Sequence, residues 1–132
     1  MARAIALLGF TGSGKTAAGE LLAERLGLDF VDVEDAERLG DELLPDSVLA
    51  VGSGVVLADE AWRLIRTLTR SIWLDAPVEV LSARAQRQEG GREAFEQLFE
   101  VRRRRFAEAD HRIDASRPLA EVVESLRALC ER

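Results

Sequence analysis

Short apolar runs alternate along the chain with longer segments of helical periodicity. This alternation is typical of a parallel sheet covered on both faces by helices, so it predicts an α/β fold. The predicted strands cover residues 4–8, 30–33, 48–51, 71–74 and 112–113. The predicted helices cover residues 16–26, about 59–68, about 78–88, about 94–108 and 119–129.

Prolines and glycines support these boundaries. Pro77 and Pro118 each stand at the first turn of a predicted helix, where a missing N–H group costs nothing. Gly90 and Gly91 interrupt a highly charged segment, residues 84–93, that we interpret as a mobile surface loop between two helices.

Composition limits the class of protein. A chain of 132 residues has room for one domain, residues 1–132, and for one core. Its formal net charge of -6 argues against nucleic acid as the main partner. Cys130 is the only cysteine and the N-terminal apolar run is too short to cross a membrane, so a reducing, cytoplasmic setting and no membrane contact are expected.

A nucleotide-binding motif follows the first predicted strand. Residues 9–16 read Gly-Phe-Thr-Gly-Ser-Gly-Lys-Thr and satisfy the P-loop pattern G-x-x-x-x-G-K-[ST] between a strand and a helix. Glycines let backbone N–H groups approach phosphate oxygens at the positive end of the helix, the lysine reaches the β- and γ-phosphates, and the threonine hydroxyl ligates Mg²⁺. The predicted phosphate site consists of Gly12, Ser13, Gly14, Lys15 and Thr16.

The P-loop predicts a three-layer P-loop NTPase sandwich with a five-stranded parallel sheet, but it does not separate kinases from GTPases or ATPases. No Asn-Lys-x-Asp run for guanine recognition is present, which argues against a Ras-like GTPase. The remaining motifs must decide the function.

Several runs in order resemble the shikimate kinase family over nearly the whole chain. After the P-loop they are residues 26–34, 52–56, 73–77 and 113–118. The resemblance implies an ATP- and Mg²⁺-dependent kinase that phosphorylates a hydroxyl of a small molecule. It further implies that Asp32 acts on Mg²⁺ with Thr16, and that Glu34 contacts the acceptor hydroxyls and is catalytic with Lys15.

The resemblance also assigns the remaining binding residues. Gly52 and Gly54 match a triple-glycine turn at the acceptor, with Ser53 in place of the middle glycine. If the backbone there does not need a positive φ, the Ser53 hydroxyl is a new donor in the site. Adenine is expected to bind between Arg84, Arg117 and Pro118.

Arginines are expected at two further places. A lid arginine should close on the γ-phosphate, and Arg92 is the first candidate and Arg87 the second, although the family's Arg-Pro-Leu-Leu signature is absent. Arg102 or Arg103 matches an arginine that binds the acceptor carboxylate, while a solvated basic helix face is the alternative.

The resemblance breaks between Glu34 and the third strand. The family has a helical acceptor-binding insertion there, whereas this chain has only residues 35–46, with Arg38 as their one cation. Three hypotheses follow: a shikimate kinase, a kinase of another small-molecule acceptor, or a truncated relative that binds ATP without turnover. We expect a monomer, with a dimer as the alternative.

Overall fold

The five predicted strands form one parallel sheet. The computed structural model describes residues 3–85 and 90–131. In them the strand order is β2-β3-β1-β4-β5, and every predicted strand is confirmed with bounds that shift by at most two residues. The strands are β1 Ala4–Leu8, β2 Asp29–Val33, β3 Ser47–Val51, β4 Thr69–Asp75 and β5 His111–Asp114.

The predicted helices are also present, with two corrections. The helix predicted at 78–88 ends at Arg84, since Ala85 is extended, and the predicted residues 86–88 lie outside the described residues. The next helix begins at Gly91 rather than 94, so residues 91–93 of the predicted loop are helical. The α-helices are α1 Lys15–Leu26, α2 Leu39–Glu42, α3 Asp59–Leu68, α4 Val78–Arg84, α5 Gly91–Phe106 and α6 Leu119–Cys130.

The core lies in two layers, one on each face of the sheet. In β1, Ala6 and Leu8 belong to the face that packs against α3 and α5, whereas Ile5 and Leu7 belong to the face that packs against α1 and α6. This alternation follows from the two-residue period of a strand. All five residues of β1 are buried, as expected of the central strand of a covered parallel sheet.

The residues between β2 and β3 form only short elements. A 3-10 turn at Ala36–Arg38 is followed by α2, and the chain then returns to the sheet through Asp46, which has a φ of 58°. This segment replaces the expected helical insertion with fewer than two turns of α-helix. No helix in residues 3–85 and 90–131 is long and apolar enough to cross a membrane.

Because all five strands are parallel, their carboxyl ends meet at one edge of the sheet. The glycine-rich run after β1, the acidic pair at the end of β2 and the glycine turn after β3 therefore lie side by side. Ligands of open α/β sheets bind at this edge.

Candidate active site

The residues after β1 form a phosphate cradle. Gly12 and Gly14 have φ values of 91° and 85°, conformations that glycine adopts readily. Helix α1 starts directly after Gly14, and no side chain caps its first N–H groups. These amides are therefore available to phosphate oxygens, and the helix dipole favours the negative charge there.

The cradle packs tightly against α4 at Gly12. A methyl group on Gly12 would lie 2.5 Å from the carbonyl oxygen of Leu81, whereas one on Gly14 would meet nothing within 4 Å. Gly12 is thus restricted by both its backbone conformation and its neighbour, while Gly14 is restricted by its conformation alone.

Lys15 is half-buried in the cradle. Its Nζ donates to the carbonyl oxygen of Gly9 at 2.7 Å. Burial lowers the pKa of Lys15 to about 8, against the opposing attraction of Glu34 and Asp32, and the positive charge of Arg102 lowers it further. The lysine therefore shares one electrostatic environment with the acidic pair and with an arginine of α5.

The acidic pair lies at the carboxyl end of β2, next to the turn after β3. Val33 pairs with Val51 across the two strands, and Gly52 N donates to Val33 O at 2.7 Å, which places Gly52 beside Glu34. Partial burial and the adjacent Asp32 carboxylate raise the pKa of Glu34, while Lys15 opposes the shift. The structure thus brings Asp32, Glu34 and Lys15 together as predicted.

Arg102 reaches the same site from α5. Its Nη1 donates to Ser53 Oγ at 2.7 Å, and its guanidinium carbon lies 5.5 Å from the centre of the Phe10 ring. Burial lowers the pKa of Arg102. Of the two predicted arginines, the structure brings Arg102 to the turn after β3.

Arg103 does not reach this turn. It pairs with Glu100 at 3.5 Å and lines a separate cavity with Trp73 and Arg112, because consecutive helical residues point about 100° apart. The prediction of Arg103 as an alternative acceptor residue is not supported by its position.

A cavity of about 320 Å³ adjoins the phosphate cradle on the side of α6. Arg84 fixes one of its walls, since its Nη1 and Nη2 donate to the carbonyl oxygens of Ala115 and Ser116 at 2.6 and 3.0 Å. Arg117 is held by Ser125 Oγ at 2.9 Å. The predicted base-binding residues line this cavity together with the cradle: Gly12, Ser13, Gly14, Arg84, Arg117 and Pro118.

Arg92 stands in the first turn of α5, where it pairs with Glu96 at 3.0 Å and is half exposed. One turn later, Phe95 packs edge-on against Phe10 of the P-loop, with ring centres 4.8 Å apart. The start of α5 therefore lies beside the phosphate cradle. The second lid candidate, Arg87, lies outside the described residues.

Phe10 is the site residue that sequence reasoning missed. Its ring touches Phe95 and Phe99 and supports Arg102, so it connects the P-loop to α5. The P-loop pattern leaves this position unspecified, and its aromatic identity was the only available signal.

A phosphate cradle that shares one sheet edge with a carboxylate pair can hold a nucleoside triphosphate beside an acceptor hydroxyl, as a small-molecule kinase requires. The profile of the family described as shikimate kinase matches residues 37–130. The chain belongs to the shikimate kinase family, and it is a small-molecule kinase.

Curated relatives cover almost the whole chain. A shikimate kinase of Gloeobacter violaceus is 33% identical over 163 aligned residues, which include 96% of this chain and 92% of the relative. One of Symbiobacterium thermophilum is 33% identical over 171 residues, with 97% and 98% covered. Both alignments are longer than the 132 residues of this chain, so these relatives contain segments that it lacks.

Solved structures support the fold. The shikimate kinase of Aquifex aeolicus has a TM-score of 0.77 at 26% identity, with 97% of this chain and 96% of that chain covered. The shikimate kinase of Acinetobacter baumannii in complex with shikimate has a TM-score of 0.84 at 21% identity, with 99% and 94% covered. Because its sequence identity is only 21%, the Acinetobacter baumannii structure supports the fold of this chain alone.

Proposed function

We propose that this chain transfers the γ-phosphoryl group of ATP to a hydroxyl group of shikimate. The observation that carries the proposal is the convergence of Lys15, the Asp32 and Glu34 carboxylates and Arg102 in one electrostatic environment at the carboxyl edge of the sheet. A phosphate-binding lysine, an acidic pair for an acceptor hydroxyl and a cation for its carboxylate are the groups that this reaction needs.

The nucleotide binds in the two joined cavities. The base lies in the cavity between Arg84 and Pro118, and the phosphates lie in the adjacent cavity of about 360 Å³, which Lys15 and Thr16 line. Backbone N–H groups of the cradle orient the phosphates, and Lys15 exchanges its bond to Gly9 O for phosphate oxygens.

Thr16 lines the phosphate cavity, and the Asp32 carboxylate lies near Lys15 of the same cavity. Both side chains offer hard oxygen ligands, which suit Mg²⁺. Bound there, the ion would neutralise charge on the phosphates.

Glu34 orients the acceptor. Its carboxylate accepts the hydrogen bond of the attacking hydroxyl and takes up the proton as the new O–P bond forms and the bond from the γ-phosphorus to the β–γ bridging oxygen breaks. Arg102 binds the carboxylate of the acceptor, and Gly52 and Gly54 leave room for it beside the turn. Arg92, at the end of α5 that contacts the P-loop, supplies positive charge to the transferred group.

ADP release from MgATP, measured with and without shikimate, tests this function. We expect shikimate-dependent ADP production that Lys15→Ala abolishes. Protein that binds MgATP but gives no shikimate-dependent ADP would overturn the assignment of shikimate as acceptor.

A second candidate is a relative that binds ATP without turnover. The short segment 35–46 favours it, because its one cation, Arg38, is exposed and paired with Glu42 at 3.4 Å. Saturable MgATP binding without ADP production, in the presence of shikimate or other small polyols and acids, would support this candidate. For either function we propose a monomer in the cytoplasm, where ATP is available.

A further inference from the structure

The turn after β3 holds a serine hydroxyl against the guanidinium of Arg102. Ser53 and Arg102 lie 49 residues apart in the sequence, yet Arg102 Nη1 and Ser53 Oγ are 2.7 Å apart. Both side chains are half-buried at the acceptor edge of the sheet. A hydroxyl that accepts one hydrogen bond still has its own hydrogen to donate.

The backbone tolerates a side chain at this position. Asp46 is the only non-glycine residue of the described ranges with a positive φ, so Ser53 is not strained. Gly54 also has an ordinary φ of -83°. Because the backbone at this position does not need a positive φ, Ser53 adds a hydrogen-bond donor to the site without a conformational cost.

Arg102 differs from Arg103 and Arg105 on α5 in its partners. Arg103 pairs with Glu100 and Arg105 pairs with Asp59. In residues 3–85 and 90–131, no carboxylate pairs with Arg102, whose Nε is buried without a hydrogen bond and whose guanidinium carbon lies over the Phe10 ring. A fixed guanidinium without an acidic partner is suited to an anionic ligand.

We propose that Ser53 is a specificity-determining residue, which fixes Arg102 through Nη1 and donates its own hydroxyl hydrogen to the carboxylate of the acceptor. Ser53 and Arg102 then bind the carboxylate together, the guanidinium through Nη2, which faces the same turn at Gly54. The pair compensates for the short segment 35–46, whose Arg38 is paired with Glu42. This inference rests on the proposed acid acceptor of the same site.

Binding and kinetics of Ser53 variants test the inference. Binding of shikimate and of its methyl ester is measured by calorimetry with MgADP present, and KM and kcat are measured where turnover occurs. We expect Ser53→Ala to weaken shikimate binding about tenfold, and to reduce the preference for the acid over the ester, since a hydrogen bond to a charged group is lost. The KM for ATP stays unchanged, and Ser53→Thr, which keeps the hydroxyl, restores binding.

Two matched arginine variants complete the test. Arg102→Ala abolishes the preference for the acid, whereas Arg104→Ala, on an exposed part of α5, preserves it. Equal preference for the acid in Ser53→Ala and in the wild type overturns the inference, as does a wild type that binds acid and ester alike or binds neither.

The inference and the proposed function fail separately. If the wild type prefers the acid through Ser53 but releases no ADP, the carboxylate site stands and the kinase function fails. If shikimate-dependent ADP production is seen but Ser53→Ala behaves as the wild type, the kinase function stands and the role of Ser53 fails.

Discussion

The carboxylate of Glu34 lies against the α-carbon of Gly52. A methyl group on Gly52 would be 2.7 Å from Glu34 Oε2 and 3.2 Å from the carbonyl oxygen of Val33. Real side chains do not approach this closely, so any residue larger than glycine at position 52 displaces Glu34. The glycine thus determines where the proposed acceptor-orienting carboxylate stands.

Gly52→Ala is therefore expected to lower kcat at least tenfold while MgATP binding is retained, because a shift of about 1 Å at a reacting group has a large effect on rate. Gly40→Ala is the matched control, since Gly40 lies outside the proposed site and its methyl group would meet only Leu64 Cδ1, at 4.0 Å. Steady-state kinetics and nucleotide calorimetry measure the two effects. A loss in Gly40→Ala as large as that in Gly52→Ala would argue against the role of the Glu34 contact.

Gly12 and Gly14 give a second matched pair. Both have positive φ values, so alanine at either position costs about 1 to 3 kcal/mol of conformational strain. Only Gly12→Ala also places a methyl group 2.5 Å from Leu81 O. We expect urea denaturation to show a larger loss of unfolding free energy for Gly12→Ala than for Gly14→Ala, and equal losses would contradict the contact with α4.

Lys15→Met is expected to abolish ADP production and to stabilise the nucleotide-free protein at pH 7. Unfolded lysine titrates near 10.5 and folded Lys15 at about 8, so below pH 8 the folded state contains a buried charge at a cost. Between pH 8 and pH 10.5 the unfolded chain binds more protons than the folded chain, so this cost is lost as the pH rises through that range.

The stability gain of Lys15→Met over the wild type should then shrink between pH 7 and pH 9.5. Urea denaturation with EDTA present measures it at both pH values. A gain that does not change with pH would mean that burial of the ammonium group is not its cause.

Arg84→Ala should raise the KM for ATP about tenfold and leave the KM for shikimate unchanged, because its hydrogen bonds to Ala115 O and Ser116 O form a wall of the base cavity. Arg63→Ala is a suitable control, since Arg63 is exposed on α3 and pairs with Glu60. An unchanged KM for ATP in Arg84→Ala would remove this cavity from the nucleotide site.

The centre of the sheet could be predicted from the sequence because β1 is a short, fully apolar run. The run Ala4–Leu8 is buried along its whole length and ends directly at the P-loop glycine, so both its position and its role followed from the residues. The start of α5 could not be predicted in this way. Arg92 and Glu93 are charged and give no apolar signal for a helix, although Arg92 pairs with Glu96 one turn later and so adds a small stabilisation there.

The candidate site was predictable where a motif fixes the backbone and less so where packing selects among similar residues. The role of residues Gly12 to Thr16 follows from the P-loop motif alone. By contrast, Arg102 and Arg103 are equivalent candidates in the sequence, and only the contacts with Ser53 and Phe10 distinguish Arg102. No local pattern contains that long-range information.

The central position of β1 in the sheet has a consequence for the exchange of chain segments between members of the family. Residues proposed for the nucleotide come from the loop after β1, from α1 and α4 and from the loop before α6, whereas those for the acceptor come from the ends of β2 and β3 and from α5. Segment 35–46 joins β2 and β3 alone and contributes nothing to the described nucleotide cavities. Chimeras joined at Glu34 and Ser47 would therefore acquire a new acceptor chemistry on an unaltered ATP-binding scaffold.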